Sequence, residues 1–290
     1  MHRFINAAIA AIALTLPALS LNATAQERFT ATVTGREDAP AVILIPGLTS
    51  SASVWDKTIA QLAATHRVHA LQVRGFAGQP AGPNAEGPVL EKLIAEIAAY
   101  AEALDQPAII GHSVGGLIGL EVAAAKADQV GRVLVVDSLA FYTLIFRPDA
   151  TPENAAPYAT MARTQMLGMT EDQFRETQAQ TMGIMTKTEA ARSTLLDWSM
   201  TSDRRVVAQV MSEVIVTDAR PRLHAITAPV TVLYAYDPSM GRPAKAVDQM
   251  YASAYAGLAG ANLKRIDDSY HFIQIDQPEA FKTEVSAFLR

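Results

Sequence analysis

Five short runs between Phe29 and Val136 are rich in aliphatic and β-branched residues and are separated by loops and helical spacings: "FTATV" (29 to 33), "AVILI" (41 to 45), "RVHALQV" (67 to 73), "AII" (108 to 110) and "RVLVV" (132 to 136). A strand with one wet face alternates apolar and polar residues, whereas these runs are almost continuously apolar. Strands of that kind are covered on both faces, which is the condition of a parallel sheet flanked by helices. The stretch "PVLEKLIAEIAAYAEAL" supplies one such helix, with Pro88 at a permitted first position and Leu90, Leu93, Ile94, Ile97 and Leu104 on one face.

The rhythm then changes. From about residue 141 to 226 no strand pattern stands out, and the spacing is helical in segments such as "DQFRETQAQTMGIM". The β pattern resumes with "PVTVLYA" (229 to 235) and "NLKRI" (262 to 266), and a last helix is expected over 278 to 289. The predicted architecture is α/β: a mostly parallel sheet with helices on both faces, contributed by residues 26–140 and 227–290, and interrupted by a helical insertion over 141–226. At 290 residues, half of them apolar, the chain is long enough for one such core. Its 24 basic residues against 29 acidic ones give no cationic face for a phosphate backbone, so nucleic acid is excluded as a partner. With no cysteine, disulfides and thiolate metal sites are excluded too.

The first stretch, "MHRFINAAIAAIALTLPALSLNATAQ", joins a short basic start to an apolar run and ends in the small-x-small pattern Ala23-Thr24-Ala25. It reads as a secretory signal peptide cleaved after Ala25, which places the mature protein in the periplasm or the medium. A permanent anchor is the competing reading, but Asn6, Thr15 and Pro17 leave the run short of a span of about 20 apolar residues.

"GHSVGG" (111 to 116) crowds glycine around Ser113 between a strand and a helix, as in the Gly-x-Ser-x-Gly nucleophile elbow. Glycine costs about 1 kcal/mol against alanine inside a helix, so its clustering marks a place where the backbone is forced. A turn this tight crowds the positions two before and two after the serine, and it lifts the hydroxyl out at the carboxyl end of the sheet. The Val114 N–H at the helix start is then aimed at an oxygen held there. A packed turn without activity is the alternative. Serine needs a base. Of the histidines after the leader, His112 packs beside the elbow, His66 and His69 lie at a strand start, His224 ends the helical block, and His271 in "DDSYHFIQIDQPEAF" lies between the last strand and the last helix. His271 is the expected base. A second oxyanion donor is expected at Leu48, in "LIPGLTSSASVW", where Gly47 permits an open turn after a strand.

Together "IPGLTSSASVW", "LQVRGFAGQP", "GHSVGG", "APVTVLYAYDP" and "SYHFIQIDQPEAF" resemble, in order, the landmark segments of α/β-hydrolase fold enzymes of the exported esterase-like kind. Pro46 stands where many members have His, and Gln72 where many have Asp. The resemblance implies Ser113 as nucleophile, His271 as base, Leu48 and Val114 as oxyanion donors, and the 141–226 insertion as a cap. It implies no metal and no organic cofactor. The family takes its acid from a strand end, and two aspartates qualify: Asp137 in "LVVDSLAF" and Asp237 in "LYAYDPSMGRP". The expectation falls on Asp237, whose Pro238 resembles the family's Asp-Pro turn, with Asp137 as the alternative. Seven of the ten methionines fall between Met161 and Met211, a composition suited to an adaptable apolar lining or to plain core. The expected activity is hydrolysis of a small-molecule carboxylic ester with an apolar acyl or alcohol group. The alternatives are the same triad acting on a lactone, amide or carbon-carbon bond, and a non-catalytic binding protein on the same fold.

Overall fold

A computed structural model describes residues 27–290, so the expected cleavage after Ala25 lies outside the described residues. Its centre is a seven-stranded sheet of β1 (Phe29–Gly35), β2 (Ala41–Ile45), β3 (Arg67–Val73), β4 (Ala108–His112), β5 (Arg132–Val136), β6 (Val230–Tyr236) and β7 (Asn262–Asp267), in the order β1-β3-β2-β4-β5-β6-β7. Only β1 runs antiparallel, along β3; the other neighbours are parallel.

Strand alternation divides the apolar runs between two cores. Ile43, Ile45, Ile109, Val133 and Val135 face one side, while Val42, Leu44, Ile110, Leu134 and Val136 face the other. The second face is closed by α1 (Asp56–Leu62) and by the C-terminal helix described below, through Leu62, Phe281, Val285 and Phe288. The first face is closed by α2 (Leu90–Glu102) and α3 (Val114–Ala125), whose Leu93, Ile97, Leu117 and Leu120 are buried against it. Each such side chain contributes about 1.5–3 kcal/mol relative to exposure, which is why β2 and β5 are apolar almost throughout. The edge strand β1 is the exception: it is mostly exposed, and its Thr-rich sequence fits that position.

Between β5 and β6 the chain forms α4 (Pro152–Gly168), α5 (Glu171–Met185), α6 (Glu189–Thr201) and α7 (Arg204–Val216). Reciprocal side-chain caps start two of them, Thr151 with Asn154 and Thr170 with Gln173, while the Asp203 carboxylate accepts the Arg205 and Val206 N–H groups at the start of α7. This insertion is tied to the sheet. Asp203 N–H donates to Gly75 C=O at 2.8 Å, and the Glu213 carboxylate accepts the Val89 and Leu90 N–H groups at the start of α2, where negative charge suits the helix dipole. After β6 come α8 (Ala244–Ala254), then β7, α9 (Ile273–Asp276) and α10 (Pro278–Phe288). Among the described residues no helix is long and apolar enough to cross a membrane.

Candidate active site

Ser113 stands between β4 and α3 at φ 56° and ψ −123°, a left-handed conformation that costs a side-chain-bearing residue about 1–3 kcal/mol. Its surroundings hold it there. Ser113 N–H donates to Val136 C=O at 2.9 Å, and its own carbonyl accepts the N–H groups of Gly116 and Leu117. A Cβ on Gly115 would press on the carbonyls of Ile45 and Pro46, and one on Gly111 would press on the backbone of Gly115 and Gly116. The glycines flanking the serine are therefore a packing requirement of the turn.

His271 lies in the loop between β7 and α9, and its Nδ1 is 2.7 Å from Asp137 Oδ2. An ionised carboxylate only accepts, so Nδ1 carries the proton and Nε2 presents its lone pair. The expectation of Asp237 as the partner of His271 is corrected here: the carboxylate placed on the imidazole is Asp137. Sheet order supplies the reason. β5 adjoins β4, the strand that ends at the elbow, whereas β6 lies one strand further away, an added distance of about 4.8 Å. Asp137 also turns sharply at φ 48°, with its N–H bonded to Leu233 C=O, while its Oδ1 accepts from Ala235 N–H and the Tyr251 hydroxyl. Asp237 is occupied elsewhere. Its Oδ1 accepts from Ser239 N–H at 2.8 Å, and its Oδ2 lies 2.5 Å from Lys187 Nζ.

His112 packs beside the elbow, fully buried, and its Nε2 donates to His271 C=O at 3.0 Å. Burial, and secondarily the nearby His271, push its pKa well below the ordinary value, so it is neutral. Its ring stands 4.6 Å from that of His271 and 4.7 Å from that of Phe272. The other histidines lie apart from this group: His69, on β3, bonds Tyr100 of α2, and His224 sits in the turn before β6. Gly47 runs close to the serine, since a Cβ there would come within 3.2 Å of Ser113 Cβ. The Leu48 N–H that follows, and Val114 N–H in the first turn of α3, take part in none of the fold's hydrogen bonds among the described residues. Behind this loop, Gln72 does with an amide what an aspartate could do only in part. Its Oε1 accepts Ala52 N–H at 2.8 Å, and its Nε2 donates to Val73 C=O.

The sequence profile of the Alpha/beta hydrolase family matches residues 42–284. This chain belongs to that family. A putative carbamate hydrolase, RutD, of Rhizobium rhizogenes is 34% identical over 106 residues, which cover 36% of this chain and 40% of that protein. An N-formylmaleamate deformylase of Pseudomonas putida is 30% identical over 139 residues, 47% of this chain and 50% of that one. The match thus spans half or less of the length of these curated relatives. Among solved structures, an enol-lactonase from Burkholderia xenovorans superposes with a TM-score of 0.69 at 22% identity, covering 90% of this chain and 96% of that one. A thermophilic esterase from Thermogutta terrifontis does so with a TM-score of 0.70 at 17% identity, covering 90% and 93%. At these identities the likeness is one of fold.

In this chain the loop that carries His271 is also where the helical insertion docks. Asp276 accepts from Lys187 N–H, Thr188 N–H, Tyr270 N–H and the hydroxyls of Thr186 and Thr188. Burial alone would raise its pKa, but these donors outweigh burial and lower it. Phe272 N–H bonds Met185 C=O, and Phe272 packs with Met182, Leu195 and Trp198. The methionines divide accordingly: Met182 and Met185 lie against Phe272, Met166 and Met211 pack on the main core, and Met161 is exposed. A separate open groove of about 440 Å³ between α4 and α7 is lined by Arg163, Gln209 and Glu213 and touches none of the candidate residues. Two contributors escaped the sequence reading, Tyr251 and Lys187. Only the four-residue spacing of Tyr251 and Tyr255 on one helix face hinted at the first.

Proposed function

We propose that this hydrolase cleaves carboxylic esters bearing an apolar acyl or alcohol group, through an acyl-enzyme on Ser113. The observation that carries the reading is the pairing of His271 Nδ1 with Asp137, which leaves Nε2 as the basic nitrogen of a ring packed on His112, the residue that precedes a serine held on a strained elbow. In the first step Ser113 Oγ attacks the ester carbon and its proton passes to His271 Nε2. The carbonyl oxygen gains the negative charge and is met by the Leu48 and Val114 N–H groups, each such donor contributing roughly 10² to 10³ in rate. Collapse breaks the bond to the alcohol oxygen, which takes the proton from Nε2. Water then adds to the acyl carbon, giving a proton to Nε2. The acyl bond to Oγ breaks, Oγ recovers that proton, and the acid leaves. Asp137 stays ionised throughout and supports the imidazolium in both halves. The partly buried Met185, Leu196 and Trp198 packed around Phe272, the residue after His271, are what supports an apolar group as the preferred substrate part.

A second reading keeps this machinery and changes the bond to a lactone, amide or carbamate. It is favoured by the names of the carbamate hydrolase, the deformylase and the enol-lactonase that the chain resembles. One panel decides between them: p-nitrophenyl esters of rising acyl length beside lactone, amide and carbamate substrates, with a fluorophosphonate probe on the wild type and on Ser113→Ala. The expected result is labelling at Ser113, faster turnover with longer acyl chains, and less than about 1% activity in Ser113→Ala. Turnover retained in that variant would remove the serine mechanism, whereas a wild type that neither turns over nor is labelled would leave a binding protein.

A further inference from the structure

Asp137 is gripped by more than the imidazole. Its Oδ2 takes the His271 Nδ1–H, while Oδ1 takes Ala235 N–H at 2.9 Å and the Tyr251 hydroxyl at 3.0 Å. Tyr251 comes from α8, over a hundred residues further along the chain, and is 5% exposed. Its ring lies flat against that of Tyr234, with centroids 4.3 Å apart and planes 17° apart. Tyr234 is itself anchored, since its hydroxyl donates to Asp248, which two Arg265 bonds hold. The phenol is therefore aimed at the carboxylate by a stack that cannot turn freely. Tyr255, one helical turn on and equally buried, donates instead to Ser138 C=O at 2.7 Å.

We infer that Tyr251 is a positioning residue for the proposed reaction, its hydroxyl fixing the Asp137 carboxylate and sharing the negative charge that supports protonated His271. This rests on the Ser113, His271 and Asp137 reading above. Two donors on Oδ1 stop the carboxylate from rotating and keep Oδ2 on the imidazole. A hydrogen bond to a charged group disperses its charge, so the phenol also limits how strongly Asp137 stabilises the imidazolium. Burial, and after it the negative charge of Asp137, hold the Tyr251 phenol protonated, so it stays a donor across the working pH range. The other groups facing the pair are Tyr234 from β6, His112 from the end of β4, kept neutral by burial, and Tyr255 just past the end of α8, kept protonated by burial. On the far side of the loop, Tyr270 lies against Lys187, which pairs with Asp237 and Asp268.

The test is the pH profile of kcat/KM for one p-nitrophenyl ester in the wild type, Tyr251→Phe and Tyr255→Phe. Without the phenol, more of the Asp137 charge falls on the imidazolium, so His271 stays protonated to higher pH and the acid limb moves up. Tyr251→Phe is expected to raise that limb by about half a pH unit and to lower kcat roughly threefold to tenfold with little change in KM. Tyr255→Phe removes an equally buried hydroxyl from the residue that follows the same helix and should leave the limb in place. 3-Fluorotyrosine inserted at position 251 is a stronger donor and should move the limb down, which keeps the test open if the Phe variant does not fold. An unmoved limb in the variants at 251, or an equal shift in Tyr255→Phe, overturns the inference. Failure of the underlying mechanism looks different: the wild type itself would neither turn over nor be labelled at Ser113.

Discussion

Two neighbouring strands of this sheet end in aspartate, and the two carboxylates meet different company. After β5, Asp137 is pinned on one oxygen by Ala235 N–H and Tyr251 and offers the other to His271. After β6, Asp237 turns one oxygen back on Ser239 in its own loop and gives the other to Lys187 of the insertion. Residue type and strand-end position are the same. What separates them is the turn: Asp137 adopts φ 48° and swings its side chain across the sheet edge, whereas Asp237 is extended at φ −147° and caps the short turn that follows. A strand-end carboxylate becomes available to a base only if its own loop does not consume it first.

The sharpest way to break this comparison is to remove one charge at a time while keeping shape. Asp137→Asn should lower kcat by roughly 10³ to 10⁴, because it removes the charge that stabilises the imidazolium and disturbs the tautomer that leaves Nε2 basic. Asp237→Asn, assayed with the same ester at the same pH, should cost less than about tenfold, since it weakens a docking contact only. Equal losses in the two variants would erase the distinction, and a larger loss at Asp237 would reverse it.

A smaller effect is expected at the other end of the Asp237 pair. The hydrogen bond from Lys187, and secondarily those from Ser239, hold the Asp237 carboxyl down at about 2. A carboxyl whose pKa is lower in the fold contributes stability that is present above its ordinary pKa near 4 and is lost as pH falls toward 2. Lys187→Met should therefore flatten the acid-unfolding curve between about pH 4 and 2. It should also loosen the insertion over the His271 loop, raising KM by a few-fold more than it changes kcat. Circular dichroism through that pH window and steady-state kinetics at neutral pH check the two halves separately.

The ease with which each part could be read follows the range of the interactions behind it. β2, β3 and β5 run over the residues their apolar stretches suggested, because a strand buried on both faces allows little else. The turn at Ser113 was legible for a similar reason: Gly111 meets the backbone of Gly115 and Gly116 within its own turn, and the contact of Gly115 with Ile45 and Pro46 only adds to that local constraint. The acid was not. The Asp-Pro feature that drew attention to Asp237 is a turn signal, and the turn is what occupies that carboxylate. The features that select Asp137 are the Ala235 N–H, Tyr251 and the neighbouring place of β5 in the sheet, all of them distant in sequence. Lys187 and Gln72 belong to the same class, since each acts on a segment that only folding brings near.

The smallest effect separates the acid sensitivity of the fold from that of the site. His69 lies on β3, toward the edge of the sheet and away from both aspartates, bonded to Tyr100 at 2.6 Å. Burial, and then the charge of Arg67, lower its pKa from 6.5 to about 4. A histidine kept neutral by the fold is protonated first in the unfolded chain. Stability is therefore full above pH 6.5 and declines as pH falls toward 4, with a slope of at most about 1.4 kcal/mol per pH unit from this one group. His69→Gln retains an acceptor for Tyr100 but does not titrate, so urea midpoints between pH 7 and 4.5 should fall less steeply than in the wild type. Part of the slope should remain, because buried His112 behaves in the same sense. Turnover should stay within about twofold, since His69 touches no group of the candidate site. If His69→Gln instead moved the acid limb of kcat/KM, that limb would be reporting partial unfolding, and the contrast between Asp137 and Asp237 would have to be measured again at a pH where the fold is stable.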